Sequence, residues 1–175
     1  MRTARLQPSA GLTGKLRAGL LLLTMIVFSH NAIAFQLQDL KAERVHLSDF
    51  LVEGRWNLVM FWSTDCVPCE QQKPMIEAFH VAHKDTDAVV LGIALDGMEN
   101  KSEIDVLIKK HNPSYPNLVV FTDVFARQFR ELTGQEFRAT PTYLLFTPEG
   151  DIAGVRAGPI ERELIEGVVA ASVAR

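Results

Sequence analysis

The strongest constraint on the fold of this chain is a nearly continuous apolar run, WNLVMFW, at Trp56–Trp62, which polar residues bound on both sides. Such a run predicts a strand that is buried on both faces, as in a parallel sheet. The segment from Cys66 to about His83 then predicts a helix, which Pro74 kinks because proline removes one helical hydrogen bond. A sheet buried on both faces needs helices packed against each of them.

The remaining segments alternate between strand and helix patterns. Alternating apolar and polar residues from Phe35 to Leu47 predict a short N-terminal hairpin. The other predicted elements are a strand at Ala88–Leu95, a helix from Ser102 to about His111, a strand at Asn117–Phe121, a helix at Asp123–Leu132, a hairpin of TYLLF and DIAGVRAG, and a final amphipathic helix. Ser102 and Asp105 resemble a capping box at the start of their helix. Together they predict an α/β sandwich with a mixed central sheet.

The first 34 residues have the composition of a targeting segment. They carry four basic side chains, no acidic one, and the apolar run Gly19–Phe28, which is too short to cross a bilayer as a helix. Small residues at Ala32–Ala34 predict cleavage before Phe35. We therefore expect a signal peptide at residues 1–34, a single domain at residues 35–175, and a location in the periplasm or another extracytoplasmic space. An uncleaved N-terminal membrane anchor is the alternative.

Removal of this segment would leave an acidic domain. The chain has 18 basic and 21 acidic side chains, and the 4 basic ones before residue 35 would be lost, which leaves 14 against 21, or −7. A charge of this sign predicts no binding to nucleic acid. Contact with a membrane is expected only through partner proteins or an uncleaved signal.

The only two cysteines of the chain, Cys66 and Cys69, form a Cys-x-x-Cys motif at the start of the predicted helix. Unpaired N–H groups and the helix dipole favour an anion there, and the thiolate is the reactive form of cysteine. Cys66 is therefore expected to attack a disulfide, and Cys69, one turn later, to resolve the mixed disulfide. A purely structural disulfide across so short a loop would contribute little stability.

A metal site is the less favoured interpretation of the cysteine pair. Structural zinc usually takes four ligands from two paired groups, whereas this sequence offers one pair. His80 and His83 share a helix face about three turns from Cys69, and a solvated helix end explains them more simply. We expect no cofactor beyond a redox-active Cys66–Cys69 disulfide.

The stretch NLVMFWSTDCVPCEQQKP resembles the active-site strand, motif and helix of the thioredoxin superfamily, and RATPTYLLFTPEG resembles its cis-proline segment. The N-terminal FQLQDLKAERVHLSDF and the extra strand and helix after the motif resemble the TlpA/ResA-like branch. Members of that branch are extracytoplasmic thiol–disulfide oxidoreductases, many of them reductants in cytochrome c maturation or copper-centre assembly. The resemblance implies a thioredoxin-like three-layer sandwich with an N-terminal β-hairpin extension.

The resemblance also implies roles for individual residues and partners. Protein substrates with disulfides would add a strand beside the proline loop. The residues placed at the substrate surface are Thr140, Pro141, Val67 and Pro68, and those placed around the redox couple are Trp62, Asp65 and Pro74. A membrane thiol donor of the DsbD/CcdA type would re-reduce the pair.

The sequence departs from the pattern of this family at the carboxylates. Met60 and Gln72 stand where relatives carry a buried aspartate or a glutamate, so the proton acceptor for Cys69 is left open. Asp65 and Glu70 flank the motif but are expected to be solvated, and Asp96 is a weaker candidate. Asp65 stands beside Cys66 in place of tryptophan, and its charge disfavours a thiolate there. Oxidants stabilise that thiolate strongly, so Asp65 predicts a reducing couple.

Three other functions were weighed against a reductase. An oxidase or isomerase of the DsbA/DsbC type would share the chemistry, but neither a long helical insertion nor a histidine between the cysteines is present. A Sco-like copper-handling protein would have a wider cysteine pair and a histidine before the proline loop, where this chain has Arg138 and Ala139. A peroxiredoxin-type peroxidase would need a proline–threonine framework before its cysteine.

Overall fold

The computed structural model describes residues 35–173, so the predicted signal peptide lies outside the described residues. Within that range, seven strands form one mixed sheet in the order β2-β1-β5-β4-β3-β6-β7. The strands are β1 (Gln36–Gln38), β2 (Arg44–His46), β3 (Trp56–Trp62), β4 (Ala88–Ala94), β5 (Asn117–Val120), β6 (Thr142–Phe146) and β7 (Ile152–Ala157). The helices are α1 (Val67–His83), α2 (Lys101–His111), α3 (Thr122–Thr133) and α4 (Arg162–Val173). The predicted α/β sandwich and its N-terminal hairpin are confirmed.

Strand β3 is an interior strand of the sheet, next to the middle strand β4, and all seven of its residues are buried. It pairs in parallel with β4 and antiparallel with β6. Successive side chains of a strand point to opposite faces. Accordingly, Leu58, Met60 and Trp62 pack with residues of α1, α2 and α4. Val59 and Phe61 pack on the other face with residues of α3 and of the N-terminal segment.

Helix α1 begins directly after Cys66, which is its N-cap residue. Pro74 lies inside the helix, as predicted. The helix packs against the sheet through a buried stripe of residues spaced three or four apart, which comprises Cys69, Lys73, Ile76, Phe79 and His80. Because only four residues separate the end of β3 from the start of this helix, the cysteine motif lies at the carboxyl end of β3.

Helix α2 ends where it was predicted to end but begins earlier than predicted. Its N-cap residue is Asn100, which makes no side-chain capping bond. A short 3-10 turn leads directly into the helix, so Ser102 already lies in its first turn and its hydroxyl donates to the Glu103 carboxylate. Asp105 instead pairs with Lys101. The predicted capping box is therefore wrong, because the helix begins earlier than the capping residue assigned to it.

No helix between residues 35 and 173 combines the length and apolarity needed to cross a membrane.

Candidate active site

The two cysteines are joined by a disulfide at the N-terminus of α1. Cys66 is 7% exposed and Cys69 is fully buried, so a partner can reach only the first sulfur. The backbone N–H of Cys69 donates to Cys66 Sγ at 3.1 Å, which directs a helix N-terminal donor at the sulfur predicted to attack. Between the cysteines, Val67 is 66% exposed and Pro68 is exposed as well. The motif therefore presents an apolar surface beside its more accessible sulfur.

The loop around Pro141 lies against the residues that precede the motif. Strand β6 starts at Thr142, which pairs with Phe61 of β3, and this pairing brings the loop to the carboxyl end of β3. The Thr140–Pro141 peptide bond is cis. Thr140 Oγ1 lies 3.3 Å from Ser63 Oγ, which donates to Asp65 Oδ1 at 2.8 Å. The structure thus brings the predicted substrate loop and the residue beside Cys66 into one polar chain.

Asp96 anchors the loop between β3 and the motif. Its two oxygens accept the backbone N–H of Thr64 at 3.0 and 3.1 Å, and Oδ1 also accepts the Thr64 hydroxyl at 2.6 Å. Thr64 stands two residues before Cys66, so this carboxylate positions the motif from the end of β4. Both carboxylate oxygens accept hydrogen bonds from Thr64, so Asp96 anchors the loop, and its candidacy as the proton acceptor for Cys69 stays a prediction.

Gln72 of α1 forms hydrogen bonds with strand β6, which follows the proline loop, and with the segment before α4. Its Oε1 accepts the Tyr143 hydroxyl at 3.0 Å and the backbone N–H of Ile160 at 2.9 Å. Burial raises the pKa of Tyr143 above its ordinary value, so its hydroxyl remains a donor at neutral pH. Met60 is fully buried beneath the motif. The two positions at which relatives carry carboxylates therefore hold a structural amide and an apolar side chain.

Lys73 is a residue of the site that the sequence reasoning missed. It is 5% exposed, and its Nζ lies 3.4 Å from the centre of the Trp62 ring. Burial lowers the pKa of Lys73 from 10.5 to about 8, although Glu70 and Asp96 favour its charged form. Its spacing of four residues from Cys69 could have indicated that both side chains lie on one face of the helix, but a lysine in a helix is ordinarily solvated.

Trp62 packs beside the redox couple, in the same buried cluster as both cysteines. It is 1% exposed, and its Nε1 donates to Asn117 Oδ1 at 3.2 Å. Trp56 belongs to the same cluster but lies at the opposite end of β3. Trp62 is therefore in place to sense the oxidation state of the couple.

The predicted description of His80 as part of a solvated helix end is wrong. His80 is 6% exposed, and its Nδ1 accepts the backbone N–H of Val90 at 3.1 Å. Burial lowers the pKa of this histidine, which favours the neutral ring that such an acceptor requires. Within the described residues, no group of three or more histidine, cysteine, aspartate or glutamate side chains is arranged to hold a metal ion.

Three comparisons relate this chain to known proteins. The model of the AhpC/TSA family matches residues 28–155. The thiol–disulfide oxidoreductase ResA of Bacillus subtilis is 29% identical over 131 residues, which cover 75% of this chain and 68% of the relative. ResA of Halalkalibacterium halodurans is 24% identical over 135 residues, which cover 77% of this chain and 71% of that relative. The thioredoxin domain of a thiol–disulfide oxidoreductase from Bacteroides vulgatus superposes with a TM-score of 0.62 at 21% identity, over 77% of this chain and 91% of that one, which confirms the predicted thioredoxin-like fold.

Proposed function

The chain belongs to the AhpC/TSA family and is a thiol–disulfide oxidoreductase, and we propose that it works outside the cytoplasm as a reductase of disulfides in specific protein partners. The observation that supports this most directly is the arrangement of its two sulfurs. Cys66 lies at the helix N-terminus beside an exposed apolar surface, and Cys69 is buried behind it. Such a pair can attack a partner's disulfide with one sulfur and release the partner with the other.

The substrate surface proposed for the partner consists of the motif and the neighbouring proline loop. Val67 and Pro68 offer apolar contacts beside Cys66, and the Thr140 side chain meets the same edge through Ser63. A partner segment that lies between these two loops would place its disulfide over Cys66 and pair with the backbone of the proline loop. We infer that specificity for the partner resides on this surface.

The proposed direction of electron flow rests on the charge next to Cys66. Asp65 is exposed and carries a carboxylate one residue before the attacking sulfur. A negative charge there disfavours the thiolate and hence the reduced form, which makes the dithiol a better reductant. The reduced pair would then be regenerated by a membrane thiol donor of the DsbD/CcdA type. Partners of the kind used in cytochrome c maturation or copper-centre assembly fit this scheme.

The reduction potential of the Cys66–Cys69 couple tests the proposed direction. Protein equilibrated with dithiothreitol or glutathione buffers should show a potential near or below about −220 mV, in the range of thioredoxin and glutaredoxins. Asp65→Asn should raise the potential by up to about 30 mV, which corresponds to a tenfold change in the equilibrium constant. A wild-type value above about −150 mV would instead make the protein an oxidant of the DsbA type.

A trapping experiment tests the proposed partners and the location. Cys69→Ala in the full chain should accumulate mixed disulfides through Cys66, because the resolving sulfur is gone. The double variant Cys66→Ala/Cys69→Ala is the matched control and should trap nothing. N-terminal sequencing of the exported protein should begin at Phe35. A chain that retains residue 1 would favour the uncleaved membrane anchor instead.

A further inference from the structure

Lys73 is a buried cation on the same side of α1 as the resolving sulfur. Cys69 and Lys73 both belong to the buried stripe of this helix and are 0% and 5% exposed. Side chains four residues apart on a helix are neighbours, with Cβ atoms about 5–6 Å apart. Among the described residues, Lys73 is the only buried lysine, arginine, aspartate or glutamate. Because burying a charge is costly, this position needs an explanation.

The surroundings of Lys73 keep its ammonium group charged but close to titration. Trp62 of β3 presents its ring face to Nζ at 3.4 Å, an arrangement that attracts a cation. Glu70 on the same helix and Asp96 after β4 favour the charged form, whereas Lys110 of α2 opposes it. Burial outweighs these charges and places the pKa of Lys73 at about 8. Most of the lysine is therefore protonated at pH 7 and neutral at pH 9.

The side chains that share the buried cluster with Cys69 are uncharged, and the next residue along the chain, Glu70, is a carboxylate of the wrong sign. Met60 and Trp62 are buried beneath the motif and belong to the same cluster as Cys69. Gln72 is a neutral amide whose oxygen already accepts two hydrogen bonds. Asp65, which lies beside Cys66, has the wrong sign to favour a thiolate. Lys73 is thus the cation that the fold places on the buried side of the helix near Cys69.

We propose that Lys73 supplies the positive charge that stabilises the Cys69 thiolate when this sulfur resolves a mixed disulfide. In that step the Cys69 thiol loses a proton, which is balanced by the proton that the partner's leaving sulfur takes up, and the Cys69 thiolate attacks Cys66 Sγ. The Cys66–Cys69 bond forms as the bond between Cys66 and the partner's sulfur breaks. The partner's sulfur leaves as a thiolate and takes up a proton, so the partner is reduced and the cysteine pair is oxidised. Lys73 keeps its own proton throughout and acts through its charge.

This inference rests on dithiol–disulfide exchange alone and not on the direction of electron flow. A potential that overturned the reductase proposal would leave it standing, because Cys69 must ionise in either direction. Conversely, a couple with the expected potential could still resolve mixed disulfides without help from Lys73. The potential and the kinetics of resolution therefore test the two proposals separately.

The test follows the reaction of the reduced protein with an equimolar amount of dithionitrobenzoate, which releases two coloured thiolates. The first release reports attack by Cys66 and the second reports displacement by Cys69. Lys73→Met should slow the second phase about tenfold at pH 7 and move its pH profile upward by about one unit, with the first phase nearly unchanged. Lys73→Arg should restore the second phase. Lys109→Met, which removes an exposed lysine of α2, is the matched control and should leave both phases as in the wild type.

A second phase with an unchanged pH profile in folded Lys73→Met would overturn the proposal. If this variant does not fold, NMR titration of the Lys73 side chain in the wild-type protein decides the question. Charge coupling between two sites is reciprocal, so ionisation of Cys69 must raise the pKa of Lys73 in the reduced protein relative to the oxidised protein. Identical lysine titrations in the two states would refute the coupling.

Discussion

Replacement of Asp96 with alanine should destabilise the oxidised protein by about 2–4 kcal/mol. The Asp96 carboxylate accepts two donor groups of Thr64, namely the backbone N–H at 3.0–3.1 Å and the hydroxyl at 2.6 Å. Hydrogen bonds to a charged group contribute about 1.5–3 kcal/mol each. Two such groups would together contribute about 3–6 kcal/mol. Because both residues are only partly buried, water can replace part of the interaction, which reduces the expected loss to about 2–4 kcal/mol.

Urea unfolding of the oxidised protein, followed by far-UV circular dichroism, measures this loss. Asp96→Asn keeps one acceptor without the charge and should lose about half as much free energy of unfolding. Thr64→Val removes only the hydroxyl, so the double variant with Asp96→Ala should show a coupling energy of at least about 0.5 kcal/mol. Asp105→Ala, at an exposed carboxylate of α2, is the matched control and should stay within about 0.5 kcal/mol of the wild type.

A loss below about 0.5 kcal/mol for Asp96→Ala, or additive single effects with Thr64→Val, would refute this reasoning. Asp96 would then be a solvated carboxylate that merely lies near the loop. The expected loss should also be accompanied by slower attack of Cys66 on dithionitrobenzoate, because Thr64 stands two residues before that sulfur. A destabilised variant with wild-type attack kinetics would show that the anchor serves stability alone.

Three further predictions follow from single contacts. Gly92→Ala should lower the free energy of unfolding in urea by about 1–3 kcal/mol. An added Cβ would lie 2.1 Å from Asn117 Oδ1 and would break the hydrogen bond between that oxygen and the Trp62 indole. Wild-type stability of the variant would contradict this prediction. Trp62→Phe should abolish the fluorescence difference between oxidised and reduced protein, because Trp62 is the tryptophan beside the couple. Trp56→Phe should keep this difference, and its loss in that variant would contradict the assignment. The hydrogen bond from Lys110 lowers the pKa of Glu70 below 4.5, so this contact stabilises the fold above pH 4.5 and is lost as the pH falls through the lowered value. The difference in unfolding free energy between wild type and Glu70→Gln should be below about 1 kcal/mol at pH 7 and should vanish in acid, with Lys109→Met as a control that shows no such pH dependence.

The local patterns of the sequence were sufficient to predict the elements of the fold and the reactive pair. Strand β3 was predicted at its observed bounds because six of its seven consecutive residues are apolar, which is typical of a strand buried on both faces. The helix after Cys66 and its internal Pro74 followed from adjacent residues, and so did the position of Cys66 at a helix N-terminus. These properties depend on neighbours within a few positions, which is the range over which strand and helix periods operate.

The burial of Lys73 and the partners of Asp96 and Gln72 depended on residues that are distant in the sequence. Asp96 reaches Thr64 across 32 positions, and Gln72 accepts hydrogen bonds from residues 71 and 88 positions away. No period of a helix or strand encodes such pairs, because they are set by the order of strands in the sheet. Lys73 has the helical spacing of the buried residues of α1, but lysine is a residue type that is ordinarily exposed. Its position became clear only when the Trp62 ring was seen beneath it, because packing of β3 against α1 determines which face of the helix is buried.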